Sequence, residues 1–175
     1  MIATADWEGM LLRLGVATAI GFLLGLEREW HGHDAGVRTH ALVALSSAMI
    51  TISSLLLFDE LRGVGGSSDP LRVIQGLAQA IGFIAGGLIF VRGGGVKNMT
   101  TAASLWMAAA VGIGAGAGQF RLVGLAALIA GLLLLLDRAA KRIIPRRHHH
   151  EQEGVAATMP NRRGATRVEA PPQAK

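Results

Sequence analysis

Five stretches of this chain are almost free of charge, and they decide what it can fold into: Met10–Leu26, Ala41–Phe58, Val73–Val91, Thr101–Ala117 and Leu122–Leu136. Acidic and basic residues crowd into the gaps between them. A bilayer core about 30 Å thick is crossed by roughly 20 helical residues, so the first three blocks are long enough and the last two are short. None shows the period-two alternation over ten residues that marks a membrane β-strand. The pattern predicts an all-α integral membrane protein, a compact bundle of about five transmembrane helices over residues 1–137. From residue 138 the character changes. A basic juxtamembrane segment, "RAAKRIIPRRHHH", leads into a polar stretch rich in Pro, Ala and charge. Such a stretch cannot bury enough apolar surface to fold, so residues 138–175 read as a basic juxtamembrane segment followed, from about His148, by a disordered cytoplasmic tail.

Bulk composition matters less than this distribution. The chain is 51% apolar with a mean hydropathy of +0.43, and soluble domains approach the same apolar share. It has no cysteine, which excludes disulfides and thiolate chemistry. Its net charge of +5 lies mostly in the tail and beside apolar blocks, where anionic headgroups account for it without a nucleic-acid partner. The N-terminus "MIATADWEGM" is acidic ahead of the first apolar run, which argues against a cleaved signal peptide.

Lysine and arginine set the expected direction. With the N-terminus outside, thirteen of the seventeen basic residues fall on the inner side, leaving Arg13, Arg62, Arg72 and Arg121 for the outer half. The positive-inside rule therefore predicts N-out and C-in, with the loop Glu27–His40 and the start of span four on the cytoplasmic side.

Lipid supplies no hydrophobic drive between helices, so small residues that let backbones approach are expected at helix contacts. Gly21 and Gly25 in span one, Gly82 and Gly86 in span three, and Gly112 and Gly116 in span four each stand four apart. Polar side chains at membrane depth cost free energy unless partnered. Gln79, in the outer third of span three, and Ser104 in span four are candidates for a polar path.

The densest polar stretch is "LEREWHGHDAGVRTH", Leu26–His40. Two readings compete. In one it is a solvated loop, with Gly36 making the turn and Thr39 capping span two. In the other, three helix ends converge: Glu27, Arg28 and Glu29 close span one, Arg38, Thr39 and His40 open span two, and Thr100 and Thr101 open span four. Glu27 and Arg38 would then form a buried inter-helix ion pair. Glu27, Glu29 and Asp34 offer oxygen ligands suited to Mg²⁺, whereas His31 and His33 would suit a softer metal. At the other end, Asp69 and Arg72 in "DPLR" open span three, with Asp69 as its N-cap.

Three blocks in order resemble the MgtC/SapB family of bacterial inner-membrane proteins. "GFLLGLEREWHGHDAGVRTHALVALSSA" is similar to its Gly-xxx-Gly-x-Glu-Arg-Glu … Ala-Gly-x-Arg-Thr-His signature. "DPLRVIQGLAQAIGFIAGGLIF" is similar to its Asp-x-x-Arg and Ile-Gly-Phe helix, and "VKNMTTAASLWMAAAVGIGAGAG" to its Thr-Thr-Ala-Ala-x-x-Trp helix. The resemblance implies five transmembrane helices with a cytoplasmic C-terminus in the bacterial cytoplasmic membrane. It also implies a link to magnesium homeostasis and, in some members, to control of ATP synthase as a membrane partner. Departures occur at Gln79, Ala80 and Ala85, and at Asn98–Met99, where Gly-Leu is usual. The better-studied members carry a folded cytoplasmic domain after the fifth helix, where this sequence has its polar tail.

The expected function is that of a non-enzymatic membrane factor in magnesium or ion homeostasis, acting through ion sensing or a protein partner. The alternative is a small homo-oligomeric ion transporter or channel. An intramembrane enzyme ranks last, because no Ser–His pairing or His-Glu-x-x-His spacing lies in the spans. The expected direction is testable, since the chain is free of cysteine. Single cysteines introduced at Arg62 and Lys97 should label from opposite faces of intact cells; labelling from one face would overturn the N-out, C-in direction.

Overall fold

The computed structural model describes residues 6–61, 69–92 and 95–143. The chain divides into a compact unit, Met1–Leu136, and a second, Asp137–Lys175. Five helices follow one another: α1 (Trp7–Trp30), α2 (Val37–Leu61), α3 (Leu71–Leu88), α4 (Met99–Gly116) and α5 (Phe120–Ile143). The first four are long and apolar enough to cross a membrane, while the apolar part of the fifth, Phe120–Leu134, is shorter than a span. The expectation about residues 144–175, with the His148–His150 run, lies outside the described residues.

The helices begin and end where local chemistry allows. Asp6 caps α1, its carboxylate accepting the Glu8 N–H at 3.4 Å. The other end closes on a turn in which the His33 N–H reaches the Arg28 carbonyl at 3.2 Å and the Gly32 N–H reaches Glu29 at 3.0 Å. Gly32 has a φ of +67°, a left-handed value that glycine adopts without steric cost. The turn therefore rests on Gly32 and not, as expected, on Gly36. Trp7 and Trp30 stand exposed at the two ends of α1, the position of aromatic belts at membrane interfaces.

Between α3 and α4 lies an antiparallel hairpin that the sequence reading did not anticipate. β1 (Phe90–Arg92) pairs with β2 (Gly95–Lys97), Val91 opposite Val96. The available signal in the sequence was the run of glycines at positions 93–95, a composition that marks turns.

α4 is the centre of the bundle: 56% of its apolar window is buried, against 11% for α3. Glycine explains how α4 gets there. A Cβ on Gly112 would run into the carbonyl of Ala44 on α2, and one on Gly116 would lie 2.7 Å from the carbonyl of Ala48. From the other side, a Cβ on Gly21 would lie 2.7 Å from Cβ of Ala44, and one on Gly25 only 2.6 Å from Cα of Val37. Ala44 and Ala48 are fully buried. So α2 is pressed between α1 and α4 at backbone-to-backbone distance, with its small residues facing both ways. Ala17, Leu24, Val111, Ala115 and Val123 complete this core.

Gly82 and Gly86 do something else. A Cβ at either meets nothing within 4 Å, so their expected role in packing α3 against the other helices is not what the structure shows. α3 buries Leu77, Ile81 and Ala85 instead. Its start is capped as the sequence suggests: the Asp69 carboxylate accepts the Leu71 N–H at 2.9 Å, and its carbonyl accepts the Arg72 N–H at 3.1 Å. The Arg72 side chain is exposed.

Alanine at Gly21 or Gly112 should lower the unfolding midpoint in detergent markedly, by about 1–3 kcal/mol of overpacking. Gly124→Ala, at an exposed helical position with open space around it, should leave the midpoint unchanged or raise it slightly. Equal effects at all three sites would contradict the close crossings.

Candidate functional site

The ends of α1, α2 and α4 meet at the side of the bundle that carries the Glu27–His40 loop, and a buried arginine joins them. Arg28 is 4% exposed. Its Nη2 donates to the hydroxyls of Thr101 at 3.0 Å and Thr100 at 3.2 Å, on the first turn of α4. Thr101 is fully buried and Thr100 exposed. A guanidinium away from water needs its donors satisfied. The opening of α4 supplies two side-chain acceptors at consecutive positions.

His40 lies beside this contact, fully buried on the first turn of α2. Its Nδ1 faces the carbonyl of Gly36 at 2.9 Å, and its Nε2 faces Oγ of Ser104 at 3.0 Å. Ser104 Oγ also lies 2.9 Å from the carbonyl of Thr101. A carbonyl accepts only, so Nδ1 carries a proton and donates to Gly36. The Ser104 hydroxyl has a single proton, which gives the chain of bonds two settings. With a neutral ring, Ser104 donates to Nε2. With a protonated ring, Nε2–H donates to Ser104, whose hydroxyl turns to the Thr101 carbonyl. The site therefore couples one ring proton to the first turn of α4.

Two shorter links surround this centre. The Glu29 carboxylate accepts the Val37 N–H at 2.8 Å, capping α2 where a negative charge is favourable. A Cβ on Gly36 would lie 2.5 Å from that same Glu29 oxygen, so glycine leaves room for the cap where a larger residue would push the carboxylate aside. Asn98 Nδ2 donates to the Asp34 carboxylate at 2.7 Å, tying the loop to the start of α4. Asn98 has a φ of +62°, a region that asparagine tolerates better than most residues. It thus keeps the backbone shape that the usual glycine of the resembled signature would adopt, and adds a side-chain bond.

The structure redraws part of the expected site. Arg38 and Thr39 are exposed, so no buried Glu27–Arg38 pair forms. α2 begins at Val37, which puts Thr39 inside its first turn and leaves the cap to Glu29. Glu27 is half-buried and lies 3.5 Å from Nδ1 of His31. The same Nδ1 lies 2.6 Å from the Glu27 carbonyl, and Nδ1 of His33 lies 3.1 Å from that of Arg28. Both histidines therefore cap the carbonyl end of α1. Among the described residues no group of three or more His, Asp or Glu could hold a metal ion. Glu29 and Asp34 are committed to separate bonds, so the Glu27, Glu29 and Asp34 set for Mg²⁺ is not assembled. Gln79 and Ser104 do not share a path: Ser104 faces His40, and Gln79 is exposed on α3.

One contact at the other end of the bundle escaped sequence reading. Arg13 Nη1 donates to the carbonyl of Gly116 at 2.9 Å, and its guanidinium packs against Gly118, whose φ is +75°. Arg13 and Arg28 are fifteen residues apart on α1, as are Gly116 and Thr101 on α4. α1 thus grips α4 near both ends. The available signal was Arg13 itself, a charge inside an otherwise apolar block.

Arg28→Met should destabilise the bundle in detergent by about 3 kcal/mol, from the loss of two charge-assisted bonds. Arg28→Lys should restore little, since a compact ammonium does not reproduce the planar fork. A Lys variant as stable as the parent would show that only the charge matters.

Comparison with known proteins accords with this geometry. The model of the MgtC family matches residues 14–143. An uncharacterized protein of Synechocystis sp. is 43% identical over 115 residues, 66% of this chain and 46% of that protein. Protein MgtC of Brucella abortus is 41% identical over 105 residues, 60% of this chain and 41% of its own length. Protein MgtC of Salmonella typhimurium is 38% identical over 111 residues, 63% of this chain and 45% of its own length. The chain therefore spans less than half the length of these curated relatives. No solved structure matches it. With the family match running from within α1 to the end of α5, this chain belongs to the MgtC family.

Proposed function

We propose that the chain is a non-enzymatic factor in magnesium or ion homeostasis, seated in the bacterial cytoplasmic membrane with its C-terminus inside. It acts by sensing ions or by contacting a membrane-protein partner, for which the resemblance suggests ATP synthase. The observation that supports this reading best is the use made of the buried polar side chains. Arg28 bonds Thr101 across α1 and α4, and His40 bonds Ser104 across α2 and α4 as well as the Gly36 carbonyl ahead of its own helix. Groups lining a conducting path must instead stay available to the ion and its water. A hydrogen-bonded junction of three helix ends can hold one arrangement of the bundle and report it to a partner. The His40–Ser104 link gives that junction two proton settings.

The reading is tested in a bacterium lacking its own MgtC protein and growing poorly at low magnesium. The full chain should restore growth, and Arg28→Met at matched membrane levels should not. In proteoliposomes the purified chain should pass Mg²⁺ no faster than empty liposomes do. Flux above that level, abolished by Arg28→Met, would overturn the regulatory reading in favour of a transporter.

A further inference from the structure

α3 carries a face that nothing among the described residues covers. Leu77, Ile81 and Ala85 are its buried side. Gln75, Gln79 and Gly86 are exposed, and Gly82 is only half-buried. These four residues are spaced by four, three and four positions, which places them along one stripe of the helix, away from the buried side. α3 is also the least buried of the four membrane-length helices.

The glutamines make this face more than a run of small residues. Gln79 is the ninth of the eighteen residues of α3. At about 1.5 Å per residue the helix is roughly 27 Å long, close to the thickness of the hydrocarbon core. Gln79 therefore sits at mid-membrane, deeper than the outer third expected for it, because the helix begins before Val73 and ends before Val91. Among the described residues its carboxamide has no hydrogen-bond partner, and it points away from the bundle. Lipid tails offer none. An amide left in such surroundings without a partner is strongly disfavoured.

We propose that α3 pairs with α3 of a second copy of this chain, with Gln79 and Gln75 bonded across the contact and Gly82 and Gly86 letting the backbones approach. The chemistry favours a second copy over another occupant. A carboxamide both donates and accepts, so it is complementary to itself across a two-fold axis, where residue and partner residue are the same. Every other pairing needs a partner with a matching polar group at the same depth. The glycine device is also one this chain already uses. Gly21 and Gly112 meet α2 inside the bundle, whereas Gly82 and Gly86 have open space. The proposal does not depend on the magnesium reading.

The absence of native cysteine makes the test direct. Single cysteines are placed in the full chain at Gln75, Gln79, Gly82 and Gly86, and as a control at Leu128 on α5, which is 70% exposed. Oxidation in native membranes should link α3 variants into dimers with a helical period that peaks at those four sites, and Leu128→Cys only weakly. Linking at α3 no stronger than at Leu128, without that period, or to a foreign protein would overturn the proposal. A second measurement guards against cysteine artefacts. Energy transfer between labelled copies in liposomes should show Gln79→Leu weakening association about three- to tenfold, while the unfolding midpoint in dissociating detergent stays unchanged. Unchanged association would contradict the role given to Gln79.

Discussion

A guanidinium held out of water, within reach of two hydroxyls, is the contact on which the rest of this bundle depends. Arg28 cannot be buried at the end of α1 unless Thr100 and Thr101 arrive beside it. That requirement fixes the start of α4 against the end of α1. The matching contact from Arg13 to the Gly116 carbonyl fixes the other end of α4 at the same spacing. Each arginine answers an electrostatic need: one finds side-chain oxygens at the opening turn, the other a carbonyl left over at the closing turn. Held at two points, α4 cannot slide along α1.

Close packing follows from this alignment. With α4 in register, Gly112 and Gly116 fall opposite the Ala44 and Ala48 carbonyls, while Gly21 and Gly25 bring α1 onto the other side of α2. The three helices then approach at distances no larger residue would allow. α3 stands outside this clamp. It shares neither the arginine contacts nor the glycine crossings, which is why its polar and small residues remain available for a partner.

Much of this was legible in the sequence, and the remainder failed for physical reasons. Apolar block length marked three of the four membrane-length helices, the block of α4 having read as short, and the resemblance pointed to the ends of α1, α2 and α4. Charge density alone could not tell which arginine goes inside. Arg38 looked as suitable as Arg28, but Arg28 lies on the buried side of α1, in line with Leu24, Gly25 and Gly21. Arg38 sits on an exposed part of the first turn of α2. The carboxylates Glu27, Glu29 and Asp34 looked like a cation site because their spacing is short. Loop geometry sends each to a different partner: His31, the Val37 N–H and Asn98. Glycine spacing was equally ambiguous, since Gly82 and Gly86 look the same in sequence as Gly112 and Gly116. Only the neighbouring backbone separates them.

Membership of the MgtC family gives this architecture its setting, and the junction of Arg28, Thr101, Ser104 and His40 holds the ends of α1, α2 and α4 together. The most direct test is a double-mutant cycle between Arg28→Met and Thr101→Val, read as unfolding free energy in detergent. A bond between a buried guanidinium and a hydroxyl predicts non-additive losses, with a coupling of about 1–2 kcal/mol. Strictly additive losses would mean that the two side chains act separately and that Arg28 does not set the position of α4.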